Sequence, residues 1–309
     1  MRASFIIPLY NCLPLTKAMV ASLRATVPAD LAHEIIFVDD GSTDGTRAWL
    51  GSLTTSTRVV LNDRNLGFAG ACNRGAAAAQ GEFLFFLNND LVLLPGWLAP
   101  MLAILQHDSS VGLVGNIQLN AATGDIDHTG IFFTHQGKPA HRTDRPLLAR
   151  ARGCQRVDAL TGACFALRRS LWEKLGGFDE GFINGGEDVD LALRATAAGC
   201  RHFVALRSVV RHHISASAGR NLRNEQNTRR LLERWQEAIT SLAARDWSRE
   251  FIQQHWDQSF VYDDHLGRAA LACWLGLTPH PAAAVREGVQ VAMGREFARW
   301  KQLLDSPKL

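Results

Sequence analysis

Short apolar runs that end in polar residues alternate with helix-like segments over the first 90 residues, and this alternation constrains the fold more than any other feature. The runs span 4–8, 34–40, 58–63 and 83–90 and read SFIIP, EIIFVDD, RVVLND and FLFFLNND. Between them, LTKAMVASLRA, GTRAWLGSL and ACNRGAAAAQ have the apolar spacing or small-residue content of helices. Strands and helices alternating at about 30-residue intervals predict a parallel sheet with right-handed crossovers. We therefore expect an α/β sandwich.

Composition narrows the class of protein. The chain has 309 residues, of which 47% are hydrophobic, enough for a substantial core. A net charge of +3 predicts no nucleic-acid partner, and six cysteines without CxxC or zinc spacing are typical of reduced thiols. We see no signal-peptide pattern and no apolar run of roughly 20 residues. The expectation is a cytoplasmic protein, with peripheral contact at the inner face of a membrane left open.

The remainder of the chain is divided into a less regular middle and a helical end. Residues 111–152 contain two expected strands, GLVGN and GIFFT, and a polar loop. The segment 160–199 predicts a strand, a short helix, a glycine-rich loop and a helix that begins near Glu187. Beyond residue 220 the apolar residues follow helical spacing, and a second amphipathic helix is expected after Pro281. We expect a first domain of residues 1–220, with halves meeting near residue 110, and a helical extension of residues 221–309.

Polar residues follow each of the first strands, where a parallel sheet places its ligand-binding edge. The side chains expected to be neighbours there are Asn11, Asp39, Asp40, Asn65, Asn88, Asn89 and Asp90. Burial of Asp90 within FLFFLNNDLVLL would be costly without a cation or hydrogen-bond donors. A carboxylate beside carboxamides suits Mg²⁺ or Mn²⁺ that also binds a diphosphate. The alternative is a solvated turn after a strand.

Two further motifs near this edge have a structural and a functional interpretation. In VDDGSTDGT, Asp39 or Asp40 could accept from a nucleotide base or ribose, or the stretch could be a turn capped by Ser42, Thr43 and Asp44. In NLGFAGACNRG, Gly67 and Gly70 allow close approach of a ligand or close packing of a helix on the sheet. Neither matches G-x-G-x-x-G, which disfavours a dinucleotide-binding dehydrogenase.

Acids and histidines supply the remaining candidates for chemistry. Glu187, Asp188 and Asp190 lie within one helical turn, where acids raise each other's pKa and suit a general base. An acidic helix N-terminus is the alternative. His212 and His213 follow a short strand, and either could bind a metal or serve structure, with Ser215 and Ser217 as candidates for phosphate.

Taken together, the motifs resemble family 2 inverting glycosyltransferases of the GT-A fold, particularly a bacterial rhamnosyltransferase-like branch. The matching stretches appear in the family's order over about residues 1–220: IIPLYN, VDDGSTDGT, NLGFAGACNRG, FLNNDLVLLPGWL, TGACFALRRSLWEKLGGFDEGF, GEDVDLALR and VVRHHISAS. The resemblance implies a GT-A α/β/α sandwich with a mostly parallel sheet, a nucleotide-binding half of residues 1–110 and an acceptor and catalytic half of residues 111–220. The helical tail has no counterpart in it.

Site residues follow from the resemblance position by position. Pro8, Tyr10 and Asp39 or Asp40 would frame the base and ribose, and Asn73 would lie near the donor. Asp90 would bind the metal, although Asn88 replaces the first acid of the family's D-x-D. With the motif residues added, the expected donor-binding set is Pro8, Tyr10, Asp39, Asp40, Gly67, Asn73, Asn89 and Asp90.

The resemblance assigns the chemistry to the second half. Asp188 matches the catalytic base, and His212 matches a histidine that completes the metal site with Asp90, with His213 as the alternative. Glu187, Asp190 and Arg194 are expected to contact the acceptor or to support the site. The ion would be Mn²⁺ or Mg²⁺.

The expected function is inverting transfer of a sugar, with rhamnose and an N-acetylhexosamine as candidates. The donor would be linked to dTDP or UDP, and the acceptor would be a hydroxyl of a glycan, lipid-linked glycan or protein. A nucleotide-sugar nucleotidyltransferase is one alternative, but PLYNCLPLT lacks the glycine-rich basic loop expected after its first strand. A non-catalytic glycan-binding or scaffold protein on a degenerate transferase fold is the other. The sequence predicts no oligomeric state.

Overall fold

The computed structural model describes residues 2–53, 57–144, 151, 153–213, 220–257 and 264–305. The chain divides into two compact units. Unit 1 consists of Met1–Ile131 and His141–Ala218, and unit 2 consists of Phe132–Ala140 and Gly219–Leu309. Unit 2 therefore includes a short segment from the middle of the sequence, whereas the sequence analysis predicts a single boundary near residue 220.

The first part of unit 1 alternates strands with helices, as the sequence pattern predicts. Its elements are β1 (Ala3–Leu9), α1 (Leu13–Thr26), β2 (His33–Asp39), α2 (Thr46–Gly51), β3 (Thr57–Leu61), α3 (Gly67–Ala78) and β4 (Phe83–Leu87). Strand β1 pairs in parallel with both β2 and β4, and β2 pairs in parallel with β3. The carboxyl ends of these four strands therefore meet at one edge of the sheet.

The second part of unit 1 completes the sheet with shorter and partly antiparallel strands. Its elements are β5 (Leu91–Leu93), α4 (Leu98–His107), β6 (Val111–Asn120), β7 (Ile126–His128), β10 (Cys154–Val157), β11 (Cys164–Arg168), α5 (Arg169–Leu175), α6 (Glu187–Ala197) and β12 (Arg201–His212). Between β7 and β10, the strands β8 (Ile131–Phe133) and β9 (Pro139–His141) form a separate two-stranded sheet that lies mainly in unit 2. The order in the large sheet is β10-β12-β6-β11-β4-β1-β2-β3, with β5 beside β12 and β7 beside β6. Strand β11 runs antiparallel to β4 and β6, whereas β12 is parallel to β6. The mostly parallel central sheet is confirmed.

Strand β4 shows why its sequence is so apolar. It lies between β1 and β11, and all five of its residues are buried. Phe86 stacks on Phe165 at 4.8 Å between ring centroids, and Phe85 packs edge-on against the buried Trp97. A strand covered on both faces reads as a continuous apolar run rather than an alternating one.

Unit 2 is built mainly of helices: α7 (Arg220–Gln254), α8 (His265–Trp274) and α9 (Ala283–Leu304). Helix α7 bends at Trp235, whose φ of −119° and ψ of 23° are not helical. The apolar faces are buried at Leu231, Ile239 and Val289, as helical spacing predicts. The C-terminal helices are thereby confirmed. Within the described residues, no helix is long and apolar enough to cross a membrane.

Candidate active site

The loops that follow β1 and β2 are joined by side-chain hydrogen bonds at the carboxyl edge of the sheet. The Asn11 N–H donates to Ser42 Oγ at 2.8 Å, and the Thr43 N–H donates to Asn11 Oδ1 at 2.8 Å. Asp44 accepts from the Leu13 N–H at 2.9 Å and from the Thr46 N–H at 3.1 Å. The side chains expected to cap only α2 therefore also hold the start of α1.

Asp39 and Asp40 are buried, and their carboxylates bind residues in and beside these loops. Asp39 is completely buried and forms a 2.8 Å ion pair with Arg47. Asp40 is 3% exposed and accepts from the Asn62 side chain at 2.8 Å and the Gly67 N–H at 2.9 Å. Of the predicted donor-binding residues, Tyr10 is the most accessible, at 52% exposed, and Pro8 beside it is partly exposed.

Gly67 and Asn73, two of the predicted donor-binding residues, each have hydrogen-bond partners within the protein. The Gly67 N–H is bound by Asp40 and Asn65, and its φ of +80° explains the glycine. The Asn73 side chain donates to Phe178 O at 3.1 Å and accepts from the Phe178 N–H at 2.9 Å. Because both ends of the Asn73 amide are used, this residue holds the turn after α5 against α3.

Asn88, Asn89 and Asp90 form a turn between β4 and β5. Asn89 donates through Nδ2 to Thr16 Oγ1 at 2.9 Å, which connects the turn to α1. Asp90 is 8% exposed, and its Oδ1 lies 3.3 Å from His212 Nε2. The His213 N–H donates to the Asp90 carbonyl at 3.0 Å while the His213 side chain is exposed. The structure thus brings His212, and not the alternative His213, to the Asp90 carboxylate. Ser215 and Ser217 lie outside the described residues.

Asp90 and His212 are the residues of this site that could hold a divalent metal ion. One carboxylate oxygen and one imidazole nitrogen converge, and Nδ1 of the partly buried His212 has no hydrogen-bond partner among the described residues. Over the described ranges, no group of three or more His, Cys, Asp or Glu side chains is arranged to hold a metal ion. These two residues would therefore need ligands from water or substrate, which Mg²⁺ and Mn²⁺ commonly retain.

Glu187 and Asp188 begin α6 after three residues with positive φ, namely Asn184, Gly185 and Gly186. Asp188 is partly exposed, and its Oδ2 accepts from the Gly162 N–H at 2.7 Å. Glu187 is 4% exposed and accepts from the Gly185 N–H at 2.7 Å. Asp188 is therefore the acid of this pair that a substrate can reach.

Burial changes the proton affinity of both acids. It raises the pKa of Glu187 to about 8, and the charge of Asp188 adds to this effect. Burial also raises the pKa of Asp188, against the opposing effect of the Gly162 and Val189 amides. A carboxylate with a raised pKa is a stronger base, which suits removal of a proton from a hydroxyl.

Asp190 and Arg194 brace α6. Asp190 is completely buried and forms a 2.7 Å ion pair with Arg194, one helical turn later. Arg194 also donates to the Leu175 carbonyl at 2.7 Å, at the end of α5. Asp190 cannot contact an acceptor because its side chain is inaccessible, so its part in the site is to hold Arg194 and α6.

Sequence reasoning missed the histidines on the β7 to β9 side of the site. His128 is 1% exposed, and its ring lies edge-on to that of His141 at 4.7 Å between centroids. The Thr161 N–H donates to His128 Nε2 at 3.4 Å, one residue before the amide that binds Asp188. The available signal was a histidine between a short strand and a Thr-Gly turn in DIDHTG, which is weak without the fold.

Comparison with known proteins places these features in a family context. The family model described as glycosyl transferase family 2 matches residues 4–176. The O-antigen biosynthesis protein RfbC of Myxococcus xanthus is 33% identical over 226 residues, covering 70% of this chain and 18% of that protein. The chain spans between 18% and 32% of the length of the first three curated relatives it matches.

Solved structures share the fold at lower identity. GalNAc-T7 with UDP, GalNAc and Mn²⁺ has a TM-score of 0.65 and 20% identity, covering 81% of this chain and 50% of that one. The mannosyltransferase PcManGT of Pyrobaculum calidifontis, in complex with GDP-Man and Mn²⁺, has a TM-score of 0.58 and 20% identity. The match covers 99% of this chain and 88% of that one. The similarity to both includes the mixed sheet with its flanking helices.

Proposed function

The chain belongs to glycosyl transferase family 2, and from that premise we propose that unit 1 transfers a sugar from a nucleotide-sugar donor to an acceptor hydroxyl with inversion. The observation that carries the proposal is the Asp188 carboxylate, which is partly exposed, raised in pKa and held by the Gly162 amide. Such a group can act as the base that a single-displacement transfer needs. The family match does not favour a nucleotidyltransferase.

The donor is proposed to bind at the carboxyl edge of β1, β2 and β4. Tyr10 and Pro8 offer accessible surface there for a base and ribose. The relatives support a nucleotide-sugar without agreeing on the base, since one solved structure contains UDP and another GDP-Man. We propose a UDP- or dTDP-linked donor, and a glycan, lipid-linked glycan or protein as acceptor, in line with the O-antigen relative.

The proposed site residues have separate roles in the reaction. Asp188 accepts the proton of the acceptor hydroxyl while that oxygen forms a bond to the anomeric carbon. The bond to the nucleoside diphosphate breaks on the opposite face, which inverts the configuration. Asp90 and His212 would hold the divalent ion, whose chemistry when bound is to neutralise charge on the diphosphate.

A thermal-shift screen tests this function most directly. The purified chain is heated with UDP, dTDP, GDP or CDP, each in Mn²⁺, Mg²⁺ or EDTA. A ligand present at about 100 times its dissociation constant stabilises the native state by about 2.7 kcal/mol. We expect one nucleotide to stabilise the chain in a metal-dependent way, and the corresponding nucleotide-sugar to be turned over.

Substitution of Asp90 tests whether the response to nucleotide depends on the proposed metal site. Asp90→Asn keeps the size of the side chain and removes its charge, so the metal-dependent part of the shift should disappear. His213→Asn changes an exposed neighbour and should leave the shift intact. No response to any nucleotide, together with no donor hydrolysis, would instead favour a non-catalytic glycan-binding or scaffold protein.

A further inference from the structure

Three consecutive residues connect the proposed base to the turn that contains Asp90. The Thr161 N–H donates to His128 Nε2 at 3.4 Å, and the Gly162 N–H donates to Asp188 Oδ2 at 2.7 Å. The Ala163 carbonyl accepts from the Asn88 N–H at 2.8 Å. The Thr161 and Gly162 amides belong to successive peptide planes that meet at the Thr161 Cα, so once the first plane is held, only the φ and ψ of Thr161 can change the direction of the Gly162 amide.

Gly162 is suited to this close approach. A Cβ at this position would lie 3.0 Å from Cε1 of Phe68 and 3.5 Å from Oδ2 of Asp188. A side chain there would press on the Phe68 ring and would lie in van der Waals contact with the Asp188 carboxylate. The orientation of Asp188 therefore depends on the amide of Gly162, a residue without a side chain. The preceding amide, that of Thr161, is held by His128.

The environment of His128 keeps its ring neutral. Burial, followed by electrostatic interaction with His141 and His212, lowers the pKa of His128 well below its usual value. Because Nε2 accepts from Thr161, the single proton of the neutral ring lies on Nδ1. This Nδ1 has no hydrogen-bond partner among the described residues, and an unsatisfied buried donor destabilises a fold. An apolar ring would avoid that cost, so packing alone does not account for the histidine.

We propose that His128 is a positioning residue of the transfer reaction, whose Nε2 holds the Thr161 amide so that the adjacent Gly162 amide orients the Asp188 carboxylate. The inference rests on the proposed function in one respect, the assignment of Asp188 as the base. It adds a residue from the β7 strand, far in sequence from the GED motif. His128 itself need not touch either substrate.

Substitutions that separate the acceptor atom from the ring test this role. His128→Gln keeps an acceptor near the position of Nε2, whereas His128→Phe fills the space of the ring without one. We expect His128→Phe to lower kcat for transfer about tenfold, less than the about 10²- to 10⁴-fold effect of a general base because the base itself remains, and to leave donor KM within about twofold. His128→Gln should recover most of kcat. Equal kcat for wild type and His128→Phe, or equal losses in the two variants, would overturn the proposal.

His202 provides a matched control for burial. It is 2% exposed, and its Nδ1 accepts from the Leu113 N–H at 3.1 Å, near the starts of β6 and β12 and away from the carboxyl edge. His202→Phe should lower the melting temperature without lowering kcat at temperatures where the variant is folded. If His128→Phe does not fold, His128→Asn replaces it, because the shorter amide cannot reach the Nε2 position.

A measurement independent of turnover separates this proposal from the function on which it rests. With ¹⁵N-labelled histidine, two-bond ¹H–¹⁵N correlations should show His128 as the neutral Nδ1–H tautomer at pH 7. Hydrogen exchange of the Gly162 amide should be about tenfold faster or more in His128→Phe than in His128→Gln. An Nε2–H tautomer, or the same exchange rate in both variants, would reject the positioning role. Absence of transfer by the wild-type chain would reject the proposed function, and the tautomer and exchange results would still stand.

Discussion

Glu187 and Asp188 are adjacent acids with different environments, and this difference predicts opposite sensitivities to amide substitution. Glu187 is 4% exposed with a pKa of about 8, so at pH 7 it is mostly protonated and Glu187→Gln closely resembles it. Asp188→Asn removes the proposed base and should lower transfer about 10²- to 10⁴-fold. Initial transfer rates measure the effect, and nucleotide thermal shifts should be unchanged in both variants. Wild-type turnover by Asp188→Asn would show that another group takes the proton.

The buried Glu187 also predicts how stability depends on pH. In the folded chain it keeps its proton up to about pH 8, whereas in the unfolded chain it releases the proton near its usual pKa of 4.5. Between these values the unfolded state binds fewer protons, so stability falls as pH rises, by at most about 1.4 kcal/mol per pH unit for one proton. Glu187→Gln cannot ionise, so its advantage over wild type should grow from pH 5 to pH 8. Urea denaturation at several pH values measures this, and parallel curves would contradict the raised pKa.

Residue types and their order in the chain predicted some site contacts and not others. The pairing of Asp90 with His212 was expected from the resemblance of FLNND and VVRHHISAS to motifs of the family, with His213 as the alternative. The hydrogen bonds of Asn73 were not, because its partner Phe178 is 105 positions away and is bound through its backbone, which the residue type does not indicate. His128 was missed for the same reason, since its role depends on which amide the fold places against its ring.

At the scale of the elements, the packing of α9 against α7 predicts how two glycine substitutions in α9 change the stability of unit 2. A Cβ on Gly288 of α9 would overlap the indole ring of Trp247 on α7, whereas one on Gly294 would meet nothing within 4 Å. Gly288→Ala should therefore destabilise unit 2 by about 1–3 kcal/mol through overpacking. Gly294→Ala, on the same helix, should stabilise it by up to about 1 kcal/mol because alanine favours helix. Chemical denaturation followed by circular dichroism compares the two, and a stable Gly288→Ala would show that the helices can separate without cost.

Elements that are buried on both faces were predicted well, and short or reversed ones were not. β1, β2 and β4 are continuous apolar runs, so their sequences suffice to identify them. β11 was expected as a strand, but its antiparallel direction follows from pairing with β4 and β6, which a single sequence does not encode locally. β7 and β9 have three residues each, too few for a period to be visible.

At the scale of the whole molecule, unit 2 is discontinuous in the sequence, because Phe132–Ala140 joins the C-terminal helices. The segment is held there by specific contacts. Lys138 forms a 2.7 Å ion pair with the buried Glu296, and the His135 N–H donates to Asp246 at 2.8 Å. Removal of the C-terminal helices alone would leave these groups without their partners.

Unit 1 can be produced alone if the segment 132–140 is replaced by a short turn. The Arg142 N–H donates to Gly130 O and the Thr129 N–H donates to Arg142 O, both at 2.8 Å, so the ends of the 132–140 segment are close together. A chain ending at residue 218 with 132–140 replaced by a short Asn-Gly turn should therefore close without strain. We expect it to melt about 2–8 °C above the simple 1–218 truncation, as a difference of about 1–2 kcal/mol gives in a domain of this size. It should also keep the metal-dependent nucleotide shift of the full chain. Equal melting of the two truncated chains would mean that 132–140 needs none of its helical partners, and loss of the nucleotide shift in both would mean that unit 2 contributes to donor binding.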